Sequence, residues 1–298
     1  MRDFVFYSPT KVVFGRDAET QTGKLAREIG ALRVLIVYGG GSVVRSGLLE
    51  RVEAALSAEG IAFERCGGVQ PNPRLAFAEE AVRQALRMKA DCILAVGGGS
   101  AIDTAKAVAI GAANPDIPIW NFWAGEATVA QSLPVGCVLT IPAAGSETSD
   151  SSVLTNEATG IKRGLSTPWN RPKFAVMNPA LAMTLPKYQI SCGVADILMH
   201  TLDRYFTHTK DNALTDAFAE ALLRTTLHYG VAALENPQDY NAMSELMWCG
   251  SLSHNSLTGL GAETDFGPHK LGHELSAMFD VAHGVSLTAV WGAWARHV

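Results

Sequence analysis

An α/β half built on a parallel sheet, followed by an all-helical half, is the architecture this sequence predicts. Three observations point to it. Short apolar runs in the first half end at glycine or proline and give way to helical patterns, and those runs are apolar at nearly every position instead of alternating. Past about residue 186 the strand rhythm stops and helical periodicity continues alone. A strand that is apolar on both faces has to be covered on both, which is the condition of a parallel sheet between helices.

Taken in order, Phe4–Tyr7 and Val12–Phe14 read as two short strands around a turn containing Pro9. Val34-Leu35-Ile36-Val37-Tyr38 is the first buried strand; it runs into Gly39-Gly40-Gly41-Ser42, after which Leu48, Val52, Ala55 and Leu56 share one helical face. Cys92-Ile93-Leu94-Ala95-Val96 runs into Gly97-Gly98-Gly99-Ser100 and a helix from Ala101 to Ala113. Cys137 to Ile141 is a third strand, closed by Pro142. Helical patterns then cover 189–206, 211–234, 239–258 and a histidine-rich stretch near 269, with Gly193 leaving open where the first settles and Pro237 separating the second from the third. The division expected from this is 1–184 for the α/β domain and 185–298 for the helical domain.

The 298 residues carry a formal net charge of −5 and 48% apolar residues, the balance of a folded globular chain. No Lys/Arg-rich stripe offers phosphates a footprint, so no nucleic acid partner is expected. No uninterrupted apolar run is long enough to span a bilayer, and Met1-Arg2-Asp3-Phe4 does not open like a signal peptide, so a cytoplasmic protein without membrane association is expected. Five scattered cysteines are odd in number and form no C-x-x-C pair, which points to reduced thiols and against a structural zinc site.

Glycines directly after a buried strand remove the side chains that would hold a ligand off the backbone, and the following helix presents unpaired N–H groups to an anion. Gly97-Gly98-Gly99-Ser100-Ala101-Ile102-Asp103 suits a diphosphate in this way, with Asp103 either receiving ribose or nicotinamide hydrogen bonds or favouring the positive helix end. The alternative is a tight connection needing only flexibility. At Gly39-Gly40-Gly41-Ser42 no acidic residue appears before Glu50, and Ser42 with Arg45 nearby leaves room for a ribose 2′-phosphate, favouring NADP(H) over NAD(H). Thr140 to Ser149 is rich in hydroxyls beyond the third strand and reads either as further cofactor contacts, Thr140 and Ser149 among them, or as a capping loop. Neither glycine run is a G-x-G-x-x-G or Walker sequence.

Asp196 and His200 stand four apart, which puts a carboxylate and an imidazole on one helix face. His269, His273 and His283 fall within fifteen positions among Leu271, Leu275, Met278, Phe279 and Val281, where imidazoles need partners or an ion. Asp196, His200 and two of those three histidines would make a mixed O/N site for Fe(II) or Zn(II), the third remaining for proton transfer. A hydrogen-bonded core cluster and scattered surface residues are the competing readings. His208, His228, His254 and His297 show no such pattern and are expected in ordinary packing or surface roles.

With these residues assembled, the chain resembles the group III, iron-dependent alcohol dehydrogenases, in particular their NADPH-dependent aldehyde reductase and butanol dehydrogenase branch. The resemblance runs through essentially the whole chain and rests on Gly67-Gly68-Val69-Gln70-Pro71-Asn72-Pro73, the Gly97–Asp103 motif, Ser146-Glu147, Asp196 with His200, and His269 to Gly284. It implies a Rossmann-like first domain and a helical metal-binding domain in a dehydroquinate synthase-like architecture. Metal ligation falls on Asp196, His200, His269 and His283, a non-ligating catalytic role on His273, and cofactor contact on Gly39, Gly40, Ser42, Gly97, Gly98, Gly99, Ser100, Asp103, Thr140, Ser149 and Lys162. It further implies a homodimer joined through the N-terminal strand region and reduction of small aldehydes to primary alcohols with NADPH, or the reverse. An NAD-linked zinc polyol dehydrogenase and an inactive nucleotide- or metal-binding scaffold are the alternatives. Ala144 departs from the threonine often found there, and family members usually continue through helices beyond the position of Val298, so the helical domain is expected to be incomplete relative to the family.

Overall fold

The computed structural model describes residues 1–298. Contacts between residues divide the chain into two compact units: Pro9–Thr140 with Asp150–Asn178, and Pro179–Val298 with Met1–Ser8 and Ile141–Ser149. The changeover thus comes at Asn178/Pro179, and the helical unit draws two further segments from the first half of the sequence.

The sheet unit contains β1 (Lys11–Phe14), β2 (Arg33–Tyr38), β3 (Ala62–Gly67), β4 (Cys92–Gly97), β5 (Val135–Leu139), β6 (Ser151–Asn156), β7 (Ile161–Ser166) and β8 (Phe174–Met177). Six strands form one sheet in the order β1-β8-β5-β4-β2-β3, every pair parallel. The helices of this unit are α1 (Thr22–Glu28), α2 (Ser42–Arg45), α3 (Leu48–Ala58), α4 (Leu75–Met88), α5 (Gly99–Ala113) and α6 (Trp120–Ala124). The central strands β4, β5 and β8 are buried at every position, as the continuous apolar runs require. The edge strand β3 buries only Cys66, and its sequence AFERCG is correspondingly polar, which is why periodicity passed over it.

Two differences from expectation have simple causes. Phe4–Tyr7 forms no strand, because no partner strand lies beside it; the Arg2 N–H donates instead to the Gly261 carbonyl at 2.9 Å, and the Arg2 guanidinium meets Glu263 at 2.8 Å. Only Lys11–Phe14 extends, as the parallel partner of β8. Second, β6 and β7 make an antiparallel two-stranded ribbon outside the main sheet. Its start is held by buried side chains: the Lys106 ammonium donates to the Ser151 carbonyl at 2.7 Å and the Trp123 indole to the Ser152 carbonyl at 3.0 Å. Trp123 therefore packs against the start of the ribbon.

The helical unit consists of α7 (Lys187–Tyr205), α8 (Ala213–Glu235), α9 (Tyr240–His254), α10 (Gly267–Phe279) and α11 (His283–Trp294), close to the expected spans. Gly193 lies inside α7 without breaking it. Ile197 of α7, Leu222 of α8 and Cys249 of α9 meet in a core cluster with Leu252 against it. The segment Ile141–Ser149 is fastened to α9: the Thr148 hydroxyl donates to the Ser251 carbonyl at 3.0 Å, and the Ser251 hydroxyl donates to the buried Glu147 carboxylate at 2.5 Å. No helix is long and apolar enough to cross a membrane.

Candidate metal centre and glycine turns

Helix α7 carries Asp196, His200 and Asp203 at i, i+4 and i+7, so one stripe presents two carboxylates with an imidazole between them. His269 lies in the first turn of α10 and His283 opens α11. Close approach of α11 to α7 depends on Gly284: a Cβ there would sit 2.7 Å from the Cα of Cys192, one turn before Asp196. That contact is possible only without a side chain, and it delivers His283 to the carboxylate stripe.

Three imidazole nitrogens converge on a single oxygen. Asp196 Oδ1 lies 3.6 Å from His200 Nδ1, 3.8 Å from His269 Nε2 and 3.7 Å from His283 Nε2. These separations exceed hydrogen-bond length, yet they approximate the spacing of about 3.4 Å between donors that each sit about 2.1 Å from one tetrahedral ion. Asp196 Oδ1, His200 Nδ1 and His269 Nε2 are buried and have no hydrogen-bond partner. Leaving them so is costly, and a cation among them would satisfy all three. The donor set therefore fits a divalent ion. The ligand atoms of Asp196, His200 and His269 all lie within 4.8 Å of one another; His283, a quarter exposed, completes the group from its more open side.

The surroundings prepare the imidazoles. Burial, followed by the neighbouring His254 and His269, pushes the His200 pKa well below the ordinary value, so its nitrogen lone pair is available. For His269, burial pulls the pKa down, but the carboxylates of Asp196 and Asp203 outweigh it and the net shift is upward. Burial raises the Asp203 pKa against the opposing pull of His269. His269 Nδ1 is 2.6 Å from Asp203 Oδ2, both groups buried. His273 sits one turn beyond His269, its ring centroid 5.4 Å from that of His283.

Three neighbours escaped the sequence reading. The His254 ring stacks on His200 with centroids 4.0 Å apart, a packing role that sets it against a proposed ligand. Arg204, buried, donates to the His200 and Ser253 carbonyls and lies 2.8 Å from His254 Nδ1. Asp203 was legible in principle, since it extends the Asp196–His200 stripe by one turn; the place of His254, on α9, was not.

In the sheet unit, β4 ends at Gly97 and α5 begins at Gly99; the Ala101 and Ile102 N–H groups donate to the Gly98 carbonyl at 3.0 and 3.2 Å, ahead of which come the N–H groups of Gly99 and Ser100. Gly97 has φ 156°, and a Cβ there would lie 2.8 Å from the Ala101 Cβ, so the strand can turn into the helix only with glycine. The Thr140 N–H donates to the Gly97 carbonyl at 3.0 Å, placing Thr140 beside Gly97, Gly98, Gly99 and the half-buried Ser100. Asp103 Oδ2 accepts the Val153 N–H at 2.8 Å, tying α5 to β6, so this carboxylate serves the fold as well as any ligand. Lys162, buried, donates to Asn72 Oδ1 at 2.8 Å. Gly39, Gly40 and Ser42 lie at the end of β2 and the start of α2, where Gly40 and Ser42 are exposed. Ser149 is fully buried and belongs to the helical unit.

A wholly parallel sheet with a glycine turn at a central strand, and a helical unit with a carboxylate–imidazole cluster, define a class: two-unit proteins with a unit suited to a nucleotide and a unit suited to a metal ion. Comparison narrows it. Residues 9–179 match the model of the iron-containing alcohol dehydrogenases, and residues 190–298 match that of the Fe-containing alcohol dehydrogenase family, C-terminal part. The NADH-dependent butanol dehydrogenase A of Clostridium acetobutylicum is 39% identical over 298 residues, covering 100% of this chain and 76% of the relative. The NADPH-dependent aldehyde reductase YqhD of Escherichia coli is 37% identical over 293 residues, covering 97% of this chain and 74% of the relative. The crystal structure of an NADH-dependent butanol dehydrogenase A from Thermotoga maritima superposes with a TM-score of 0.98 at 37% identity, over 100% of this chain and 75% of that one. The chain belongs to the iron-containing alcohol dehydrogenase family. It is a metal-dependent alcohol dehydrogenase–aldehyde reductase using a nicotinamide cofactor.

Proposed function

We propose that this enzyme reduces small aldehydes to primary alcohols with NADPH, and runs in reverse, using one divalent ion held by Asp196, His200, His269 and His283. The convergence of three imidazole nitrogens on Asp196 Oδ1 carries the reading. When bound, the ion would supply Lewis-acid polarisation of a carbonyl and the nicotinamide would supply hydride. The chain's own part is to fix the ligands on three helices, to keep His200 neutral by burial, and to leave a backbone cradle at Gly97–Ser100 for a diphosphate. His273, one turn from His269 and with its ring centroid 5.4 Å from that of His283, is proposed to provide the proton the reduced oxygen takes up.

The choice of NADP(H) is supported at the β2–α2 turn. The Arg45 guanidinium folds over Gly41, next to the exposed Ser42, and no carboxylate stands in that turn to bind the hydroxyls of an unphosphorylated ribose. Among the relatives, the aldehyde reductase is named NADPH-dependent and the butanol dehydrogenases NADH-dependent. Fe(II) and Zn(II) both suit one carboxylate and three imidazoles; the family description favours iron. These relatives favour the alcohol–aldehyde reading over the polyol dehydrogenase and the inactive scaffold.

A homodimer is also proposed, with the segment Phe4–Tyr7 at its interface, because Phe4, Val5, Phe6 and Tyr7 are each exposed by 46% or more. Val5→Asp shifting the mass in light scattering from dimer to monomer would support this; a monomeric wild-type protein would end it. The principal test is consumption of NADPH by the Fe(II)- or Zn(II)-loaded protein with short aldehydes. Asp196→Ala and His269→Ala should each lower both metal content and turnover by more than about tenfold. Full turnover in either metal-free variant would refute the assignment.

A further inference from the structure

The ligand cluster leaves one buried carboxylate unused. Asp203 has no side-chain exposure, lies on the same α7 stripe as Asp196 and His200, and its Oδ2 is 2.6 Å from His269 Nδ1. The other ring nitrogen of His269, Nε2, has no hydrogen-bond partner and faces Asp196 Oδ1 at 3.8 Å. A neutral imidazole has one N–H and one lone pair, so a carboxylate accepting at Nδ1 dictates that the lone pair is on Nε2. We infer that Asp203 is a positioning residue for the metal centre, fixing His269 as the Nδ1–H tautomer so that Nε2 faces the ion. This rests on the ligand assignment proposed above.

The arrangement supports the same conclusion: Asp196 would meet the ion directly and Asp203 would act through the His269 ring, as a carboxylate behind a ligating imidazole does. The bland role is a tie between α7 and α10. Such a tie exists independently: the Asp203 carbonyl accepts the Asp265 N–H at 3.1 Å, and Asp265 Oδ1 accepts the Gly267 N–H at 2.7 Å where α10 begins. That backbone link survives substitution of the side chain; the Asp203 carboxylate meets His269 at both its backbone N–H and its ring, and only the ring contact bears on the ligand nitrogen.

Asp203→Asn keeps the shape and removes the charge. The experiment loads metal-stripped wild-type protein and the variant with Co(II), measuring the dissociation constant by chelator competition, the visible d–d spectrum, and the melting temperature of the metal-free form. The expected result is affinity weakened by about 10- to 100-fold with an altered spectrum. Unchanged affinity and spectrum in a folded variant overturn the inference, and do so even if its melting temperature falls. Wild-type protein that binds no Co(II) removes the metal reading itself, a different failure. Should the variant not fold, wild-type protein labelled with ¹⁵N-histidine decides the matter: on Zn(II) addition His269, assigned through loss of its signals in His269→Gln, should shift at Nε2 and retain a proton at Nδ1. A metal-induced shift at His269 Nδ1 refutes the proposal.

Discussion

Gly284→Ala is the most informative single change, because backbone geometry and the ligand cluster meet there. The added Cβ would lie 2.3 Å from the Cys192 carbonyl oxygen and 2.7 Å from its Cα, whereas non-bonded heavy atoms pack at about 3.5 Å, so the start of α11 has to retreat by about 1 Å. His283 is the adjacent residue, and its Nε2 stands 3.7 Å from Asp196 Oδ1. A binding constellation tolerates displacements of only about 0.5 Å, so the fourth donor should be lost from position. Overpacking costs about 1–3 kcal/mol, against which alanine's better helix propensity returns about 1 kcal/mol at most. The expected outcome is a melting temperature lowered by a few degrees and Co(II) affinity lowered by more than about tenfold. Gly292→Ala on the same helix is the control: its Cβ would meet nothing nearer than Arg296 Nη1 at 3.9 Å, so stability and affinity should hold or improve. If Gly284→Ala binds Co(II) within twofold of the wild type, with an unchanged spectrum, the close approach of α11 does not position His283 and the reasoning fails.

Arg45→Ala should raise the KM for NADPH by about tenfold, the loss of one charge-assisted hydrogen bond, and leave that for NADH nearly unchanged; equal effects on both cofactors would show that Arg45 does not read a 2′-phosphate. Gly97→Val forces a side chain toward Ala101 and should weaken binding of both cofactors and lower the melting temperature; isothermal titration with unaltered affinity would contradict the cradle. Burial drives the Cys92 thiol from the ordinary 9.0 up to about 12. Because the folded pKa is raised, that contribution to stability is complete below pH 9 and is lost as pH climbs from about 9 to 12; denaturant midpoints across that window should fall less steeply in Cys92→Ala than in the wild type, and parallel slopes would rule the thiol out.

Local sequence determined the elements whose side chains face one kind of environment. The apolar runs at 34–38 and 92–96 lie in strands covered on both faces, the run at 137–141 reappears two residues earlier as β5, and the glycines at 97–99 make the strand-to-helix junction, because those requirements lie within a few bonds of each residue. The i, i+4 pairing of Asp196 and His200 was equally local. Tertiary structure decided what distance along the chain conceals. The polar edge strand β3, the ribbon β6–β7 held by Lys106 and Trp123, and the transfer of Ile141–Ser149 to the helical unit through Glu147 and Ser251 all depend on partners far away in sequence. So do the stacking of His254 on His200 and the hydrogen bond from His269 to Asp203, since a periodicity shows which face a residue occupies but not which other helix that face meets.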